Sequence, residues 1–209
     1  MKPVALLLSS MLISALASAS VGAAEPVKAY KPDLAKGEAI SSSVCVACHS
    51  NDGSRGSPAN PILQGQHPEY LSKQLTEFMA GQRNNPIMRG IASTLSPEDM
   101  KNVAAFYATK HAKAGFAKSK DTVKLGEQIY RGGIADRQIP ACAGCHSPTG
   151  SGIPAQYPRL AGQHADYAEA QLVAFRAGAR TNSIQMSGIA AKMNDREIKA
   201  VADYIAGLH

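Results

Sequence analysis

One pattern of residues occurs twice in this 209-residue chain, and its most demanding part is the pentapeptide C-x-x-C-H. The two copies occupy positions 45–49 and 142–146 and contain all four cysteines. Two thiols in this order can add to the vinyl groups on one edge of a porphyrin, and the histidine that follows can bind the iron. The sequence therefore predicts two covalent haem c groups, and each copy of the pattern must fold around one of them.

The predicted attachment residues are Cys45, Cys48, Cys142 and Cys145, and the predicted proximal iron ligands are His49 and His146. Paired cysteines also form thiol–disulfide redox sites, structural disulfides and zinc sites. In a zinc ribbon the two pairs are usually about 15–20 residues apart, whereas these pairs are 97 positions apart. None of these alternatives needs a histidine directly after both pairs.

The repeat extends over almost the whole chain. Residues 34–110 align with residues 123–208, and from the pentapeptides onwards the offset is 97 positions, which becomes 98 after one inserted residue. A P-x-L-x-G-Q-H segment occupies positions 61–67 and again 158–164. Because only two units are present and each is large enough to enclose a haem, the repeat indicates domain duplication rather than a solenoid.

Apolar residues at helical spacing predict an all-α fold, since no useful alternation typical of β-strands is present. Gly81 and Gly178 are predicted left-handed helix stops, and capping boxes begin at Ser96 and Asn194. The predicted helices are 34–43, 68–80 and one starting at 97 in the first unit, and 123–131, 165–177 and one starting at 195 in the second. An insertion of about eight residues around positions 132–138 separates the second unit's first helix from its pentapeptide.

A second axial ligand decides whether such a haem carries electrons or binds a substrate. Met88 and Met186 align between the units and follow the proximal histidines by 39 and 40 positions. We expect both in irregular segments, from which the thioether can reach the far face of the ring. Most methionines fill hydrophobic cores, and we predict this role for three of the other methionines. They are Met79, Met100 and Met193.

Two further pairs of aligned residues have more than one interpretation. His67 and His164 are the alternative axial ligands, although their position at a predicted helix start also suits a polar residue. Pro61 and Pro158 each follow the proximal histidine by 12 positions. Their carbonyl groups could accept a hydrogen bond from the ligand ring and fix its tautomer, or the prolines could serve only as turn residues.

The N-terminus is typical of a secretory signal, with Lys2, an apolar run over 4–16 and small residues at 21–24. We expect residues 1–24 to be removed, leaving cytochrome domains at 25–111 and 123–209 joined by a linker at 112–122. No later segment is apolar for the roughly 20 residues of a membrane span.

The formal charge of +6 would be offset by haem carboxylates, so it does not indicate a nucleic-acid partner. We expect a periplasmic monomer with at most peripheral membrane association.

The chain resembles the two-haem cytochrome c4 family of bacteria. Both pentapeptides, the aligned methionines, the P-x-L-x-G-Q-H segments and the twofold repeat carry this resemblance. It implies two class I cytochrome c domains packed about a pseudo-twofold axis with their propionate edges facing, and His/Met ligation of both irons. In class I cytochromes c, a proline at the spacing of Pro61 and Pro158 supports the proximal histidine through its carbonyl.

The function that the resemblance implies is one-electron transfer in a periplasmic respiratory chain, without enzymatic chemistry. The donor would be a protein such as quinol–cytochrome c reductase, and the acceptor a haem–copper terminal oxidase. Two alternatives remain at this point. The chain could be the cytochrome subunit of a periplasmic dehydrogenase such as a flavoprotein, or a two-haem peroxidase-like enzyme in which one iron lacks its methionine.

Overall fold

A computed structural model of the protein describes residues 30–209. The predicted signal peptide, residues 1–24, lies outside the described residues. Within them every regular element is a helix, and pairing of extended backbone is limited to isolated bridges. The α-helices are α1 Leu34–Ile40, α2 Val46–His49, α3 Pro68–Met79, α4 Pro86–Ala92, α5 Pro97–Ala108, α6 Val123–Gly132, α7 Ala143–His146, α8 Ala165–Arg176, α9 Ile184–Ala190 and α10 Asp195–Gly207.

The ten helices form two domains with the same arrangement. In the first domain, α1 to α5, helix α5 packs against α1 and α3, and α4 packs against α3. In the second domain, α6 to α10, helix α10 packs against α6 and α8, and α9 packs against α8. The prediction of an all-α fold with two domains is therefore confirmed.

The N-terminal and C-terminal helices of each domain cross at a glycine. A Cβ atom on Gly37 of α1 would lie 2.3 Å from the carbonyl oxygen of Asn102 in α5. A Cβ atom on Gly126 of α6 would lie 2.1 Å from the carbonyl oxygen of Ala200 in α10. Since real Cβ atoms do not approach backbone this closely, the absence of a side chain allows the two helix backbones to pack together.

The helix starts follow the predicted caps. Ser96 and Asp99 form a capping box at α5, and Asn194 and Glu197 form one at α10. Gly81 and Gly178 take the left-handed conformation, with φ of +76° and +71°. These local signals are strong because each satisfies backbone groups that a helix end leaves unpaired.

The backbone segments that lead into the two pentapeptides differ between the domains. In the first domain, α1 does not stop near position 43, because a π-helical turn at Ser41–Cys45 continues it into α2. In the second domain, Gly133 at φ +70° ends α6, and a 3-10 turn at Ala135–Arg137 fills the predicted insertion before α7. The second pentapeptide is therefore attached to its domain by a separate loop.

Candidate haem-binding sites

The proximal histidines end the short helices α2 and α7 and point into the domains. His49 and His146 are 9% and 6% exposed. The Nδ1 atom of His49 lies 3.1 Å from the carbonyl oxygen of Pro61, and that of His146 lies 3.0 Å from the carbonyl oxygen of Pro158. Because a carbonyl oxygen only accepts, Nδ1 carries the proton and donates it in each ring. The lone pair is then on Nε2, the atom that a metal needs.

Burial also keeps these imidazoles neutral. It lowers the pKa of both His49 and His146 below the ordinary value, and the opposing effect of the proline carbonyls is smaller. A neutral ring with a fixed tautomer is the form of histidine that binds a metal ion.

The four cysteines are free thiols in the structure. Cys48 is exposed, while the other three are half-buried. Burial raises the pKa of Cys142 to about 11. Burial also raises the pKa of Cys45, because its effect is larger than the opposing effect of a hydrogen bond with Tyr107. A reactive redox thiol needs a lowered pKa, so these two side chains lack the character of a thiol–disulfide site. Across residues 30–209, no cluster of three or more His, Cys, Asp and Glu side chains is placed to hold a metal ion.

Met88 and Met186 lie in short helices, and the expectation that their segments are irregular is wrong. The Asn85 side chain accepts from the Met88 amide at 3.0 Å, and the Ser183 hydroxyl accepts from the Met186 amide at 3.3 Å. These side-chain caps start α4 and α9. The extra residue in the second unit explains why Ser183 takes over the capping position from the aligned asparagine, Asn182.

The remaining methionines divide into buried and exposed ones. Met100 and Met193 are buried, as predicted for core residues. Met79 is 37% exposed, so its assignment to the core is wrong. It is the last residue of α3, where the helix leaves the packed surface. Met88 itself is partly buried and packs against the cluster around Phe78.

The two alternative ligands occupy unequal surroundings. The Nε2 atom of His67 donates to the carbonyl oxygen of Ser151 in the other domain at 2.9 Å. The ring of His67 is therefore engaged in the contact between domains. His164 is buried, whereas His67 is only partly buried, and the Nε2 atom of His164 has no hydrogen-bond partner within residues 30–209.

A cluster of residues between the two domains has a role that sequence reasoning missed. Arg83 and Arg180 are buried and form an isolated bridge with each other. Their partners are the aligned tyrosines and glutamines of the two domains, Tyr70, Tyr167, Gln74 and Gln171. The signal that could have found them is their alignment in the repeat, since buried arginines kept in both units need acceptors.

The residues present fit a covalently attached haem in each domain. Each site combines two free thiols, a buried neutral imidazole and an Nε2 atom that no other residue within 30–209 uses. Each also has a methionine on a short helix that can supply a second axial ligand.

Comparison with known proteins agrees with this geometry. The cytochrome c family model matches residues 34–109 and 123–209. Cytochrome c4 of Pseudomonas aeruginosa is 42% identical over 181 residues, which cover 85% of this chain and 89% of that protein. The crystal structure of reduced recombinant cytochrome c4 from Pseudomonas stutzeri superimposes with a TM-score of 0.81 at 39% identity, covering 86% of this chain and 100% of that one. A thiosulfate dehydrogenase electron acceptor of Stutzerimonas stutzeri is 39% identical over 198 residues, or 92% of this chain and 90% of that protein.

The fold and the paired sites thus define a two-domain c-type cytochrome. The alignments with the relatives at 39–42% identity cover most of each relative as well as most of this chain. The chain belongs to the cytochrome c4 family, and its cofactors are two haem c groups. It is an electron carrier that works with redox protein partners. No helix within residues 30–209 is both long and apolar enough to cross a membrane.

Proposed function

We propose that the protein is a periplasmic one-electron carrier of a respiratory chain, with His49 and Met88 binding one haem iron and His146 and Met186 the other. The observation that best supports this proposal is that both domains contain the same arrangement of site residues. In each domain a buried imidazole donates Nδ1–H to a proline carbonyl, and an aligned methionine sits on a capped helix. A donor such as quinol–cytochrome c reductase would reduce the protein, and a haem–copper terminal oxidase would oxidise it.

When bound, each haem c supplies a reversible one-electron iron couple, and methionine ligation places its potential above that of a bis-histidine site. The chain's own residues determine how little changes during transfer. The Pro61 and Pro158 carbonyls fix the two rings, and the helix caps on α4 and α9 fix the methionine backbones. Restrained ligands reorganise little when an electron arrives, which favours fast transfer.

With side chains as both axial ligands, neither iron keeps a position for oxygen or peroxide, so we propose that the protein is not an enzyme. Carbon monoxide added to the reduced protein at neutral pH should leave its spectrum unchanged. Binding of carbon monoxide at one iron would instead favour the peroxidase-like alternative.

The ligand assignment predicts a specific spectral change. Met88→Ala and Met186→Ala should each remove about half of the far-red methionine–iron charge-transfer absorbance of the oxidised protein, because each variant loses one sulfur ligand. Met79→Ala is the matched control, since this side chain is exposed, and it should keep the full band. Retention of the band in both Met88→Ala and Met186→Ala would contradict the assignment.

Export and processing belong to the same proposal. Residues 1–24 would be cleaved, and domains at 25–111 and 123–209 with the linker at 112–122 would form a monomer. Mass spectrometry of the periplasmic fraction should find a chain that starts at residue 24 or 25 and carries two haems. Cytoplasmic material without haem would contradict export.

A second candidate function has a specific observation in its favour. The relative from Stutzerimonas stutzeri is named a thiosulfate dehydrogenase electron acceptor, and it matches 92% of this chain. This chain would then take electrons from a dehydrogenase instead of a quinol-oxidising complex. Stopped-flow reduction of the holoprotein by each purified enzyme with its own substrate separates the two, because only the physiological donor should show saturable, fast kinetics.

A further inference from the structure

Two glutamine side chains, one in each domain, bond across the boundary between the domains to a single residue on the other side. Gln163 accepts from the backbone N–H of Ile62 at 2.9 Å and donates to the carbonyl oxygen of the same residue at 3.1 Å. Gln66 accepts from the backbone N–H of Arg159 at 2.8 Å and donates to its carbonyl oxygen at 2.9 Å. Each side-chain amide thus pairs with backbone as a residue of an antiparallel strand would.

The residues that the glutamines hold come directly after the prolines that contact the proximal histidines. Ile62 follows Pro61, whose carbonyl oxygen lies 3.1 Å from Nδ1 of His49. The Pro61 carbonyl and the Ile62 N–H belong to one planar peptide group. A bond that fixes this N–H therefore also fixes the direction of the carbonyl on which the histidine ring depends. The same relation holds in the second domain, at 3.0 Å, for Arg159, Pro158 and His146.

Both glutamines are oriented by their own domain before they reach the other one. Gln66 and Gln163 are 7% and 9% exposed. The side-chain oxygen of Gln66 also accepts from the backbone N–H of His67 at 3.1 Å, and that of Gln163 accepts from the backbone N–H of His164 at 2.9 Å. Each amide oxygen thus accepts two hydrogen bonds, which is its full capacity. A buried amide with partners on both sides has little freedom to turn.

The peptide groups that the glutamines hold have no substitute acceptor in their own domains. In the part of the chain from residue 30 onwards, the N–H groups of Ile62 and Arg159 bond to the glutamines and to no backbone carbonyl. Ile62 is itself buried, and a buried N–H without an acceptor is costly. The orientation of each proline peptide group therefore depends on the opposite domain.

We propose that Gln66 and Gln163 are positioning residues that act in trans, each orienting the proximal histidine of the opposite domain through a proline peptide group. The inference rests on the proposed function, because it needs His49 and His146 to be the iron ligands. A ring held at Nδ1 keeps the lone pair of Nε2 directed at the metal position. Neither domain contains every residue that fixes its own ligand, so each haem site is complete only when both domains are present.

The test replaces each glutamine by methionine, which is similar in length but has no amide. Gln163→Met should make the Nδ1–H of His49 exchange with solvent deuterium about tenfold faster, because one hydrogen bond no longer holds the acceptor carbonyl. It should leave the exchange at His146 unchanged. Gln66→Met should have the reverse effect. Proton–nitrogen correlation NMR of the reduced, diamagnetic holoprotein follows both rings in one experiment.

A matched control is available in the same segment of the first domain. Gln64 is 6% exposed, and its side chain donates to the carboxylate of Asp52, within its own domain, at 2.9 Å. Gln64→Met therefore removes a buried amide without touching either proline peptide group. It should leave the exchange rates of both histidines as they are in the unsubstituted protein.

Gln163→Glu makes the same contact reversible. A protonated carboxyl group donates and accepts as the amide does, whereas an ionised one only accepts. Exchange at His49 should equal that of the unsubstituted protein at low pH, and should become faster than it, at the same pH, once the new carboxyl ionises. Because this variant keeps the shape and both hydrogen bonds at low pH, it tests the inference even if Gln163→Met does not fold.

Acceleration confined to the histidine of the opposite domain supports the inference. Equal acceleration at both histidines would mean that the glutamines only hold the domains together, and no acceleration would mean that they do not act on the rings. Either result overturns the inference. Ring protons of His49 and His146 shifted upfield by the haem ring current show independently that both are ligands. Their absence would overturn the proposed function as well, so the two failures are distinguishable.

Discussion

At the residue scale, burial disfavours the charged form of every ionisable side chain, and a hydrogen-bonding or charged partner decides whether the group is nevertheless ionised. His49 and His146 have only a neutral carbonyl as partner, so burial lowers their pKa and they stay uncharged. Glu197 is also buried, and burial alone would raise its pKa. The Arg137 guanidinium and the Asn194 amide donate to its carboxylate and lower the pKa overall. Glu197 is therefore charged where the histidines are neutral.

The charge of Glu197 should make its contribution to stability depend on pH. Because its pKa is lower in the folded than in the unfolded state, where it is about 4.3, the stabilisation is complete above that value and is lost as pH falls through the folded pKa. Glu197→Gln should cost about 1.5 kcal/mol at pH 7 and much less at pH 3. Urea unfolding of the holoprotein at both pH values measures this difference.

The control for Glu197 is another carboxylate near the start of the same helix. Asp195 pairs with Arg176, but 77% of its side chain is exposed, so Asp195→Asn should change stability little at either pH. An equal loss for Glu197→Gln at pH 7 and pH 3 would mean that the ionised pair does not stabilise the fold.

At the element scale, the crossing of the first and last helices is the contact on which each domain depends. Gly37→Ala would place a methyl group 2.3 Å from the Asn102 carbonyl oxygen and should destabilise the first domain by about 2–3 kcal/mol. Gly126→Ala should do the same to the second domain through the Ala200 carbonyl oxygen. Thermal unfolding followed by the visible haem spectrum and by circular dichroism measures both.

Two glycines of the methionine-bearing helices are matched controls for this prediction. A Cβ atom on Gly90 or Gly188 would meet nothing within 4 Å. Alanine at either position should stabilise by about 0.5–1 kcal/mol, because it reduces the freedom of the unfolded chain. If Gly37→Ala were as well tolerated as Gly90→Ala, the close crossing would not be a requirement of the fold.

The elements also show how far a sequence can be interpreted. Long helices with an apolar stripe and a capping residue, such as α5 and α10, could be predicted because both signals are local. The helices α4 and α9 are not predicted because seven residues give too little periodicity, and their caps, Asn85 and Ser183, are identified only in the structure. The spacing of 12 positions alone leaves the contact between each histidine's Nδ1 and a proline carbonyl open beside a turn role, and the resemblance to class I cytochromes c favours the contact. The role of Arg83 could not be predicted, because its partners lie 84 and 88 positions away.

At the scale of the whole molecule, the two domains join through contacts that occur in pairs. Arg83 donates to the Tyr167 hydroxyl at 2.8 Å, and Arg180 donates to the Tyr70 hydroxyl at 3.2 Å. Each guanidinium lies over a phenylalanine ring of its own domain, at 4.5 Å from the centre of Phe78 and 4.4 Å from that of Phe175. The paired contacts are what a pseudo-twofold axis between the domains requires. One difference breaks it, since Glu77 accepts from Asn182 whereas its aligned counterpart is an alanine.

The arginine pair should make the two domains unfold together. Arg83→Met removes a buried charge and leaves the hydroxyl of Tyr167 without this donor, whereas Gln74 and Gln171 keep Arg180 as a donor. It should therefore cost about 1–3 kcal/mol, the cost of one unsatisfied group, and split one calorimetric transition into two. Arg131→Met is the control, since the Arg131 side chain is 49% exposed and pairs within its own helix.

Because Arg83 and Arg180 share Gln74 and Gln171 as acceptors, the loss in the double variant should differ from the sum of the single losses by about 0.5–3 kcal/mol. Additive losses with a single transition would mean that the domains are held together elsewhere, at the Gln66 and Gln163 contacts.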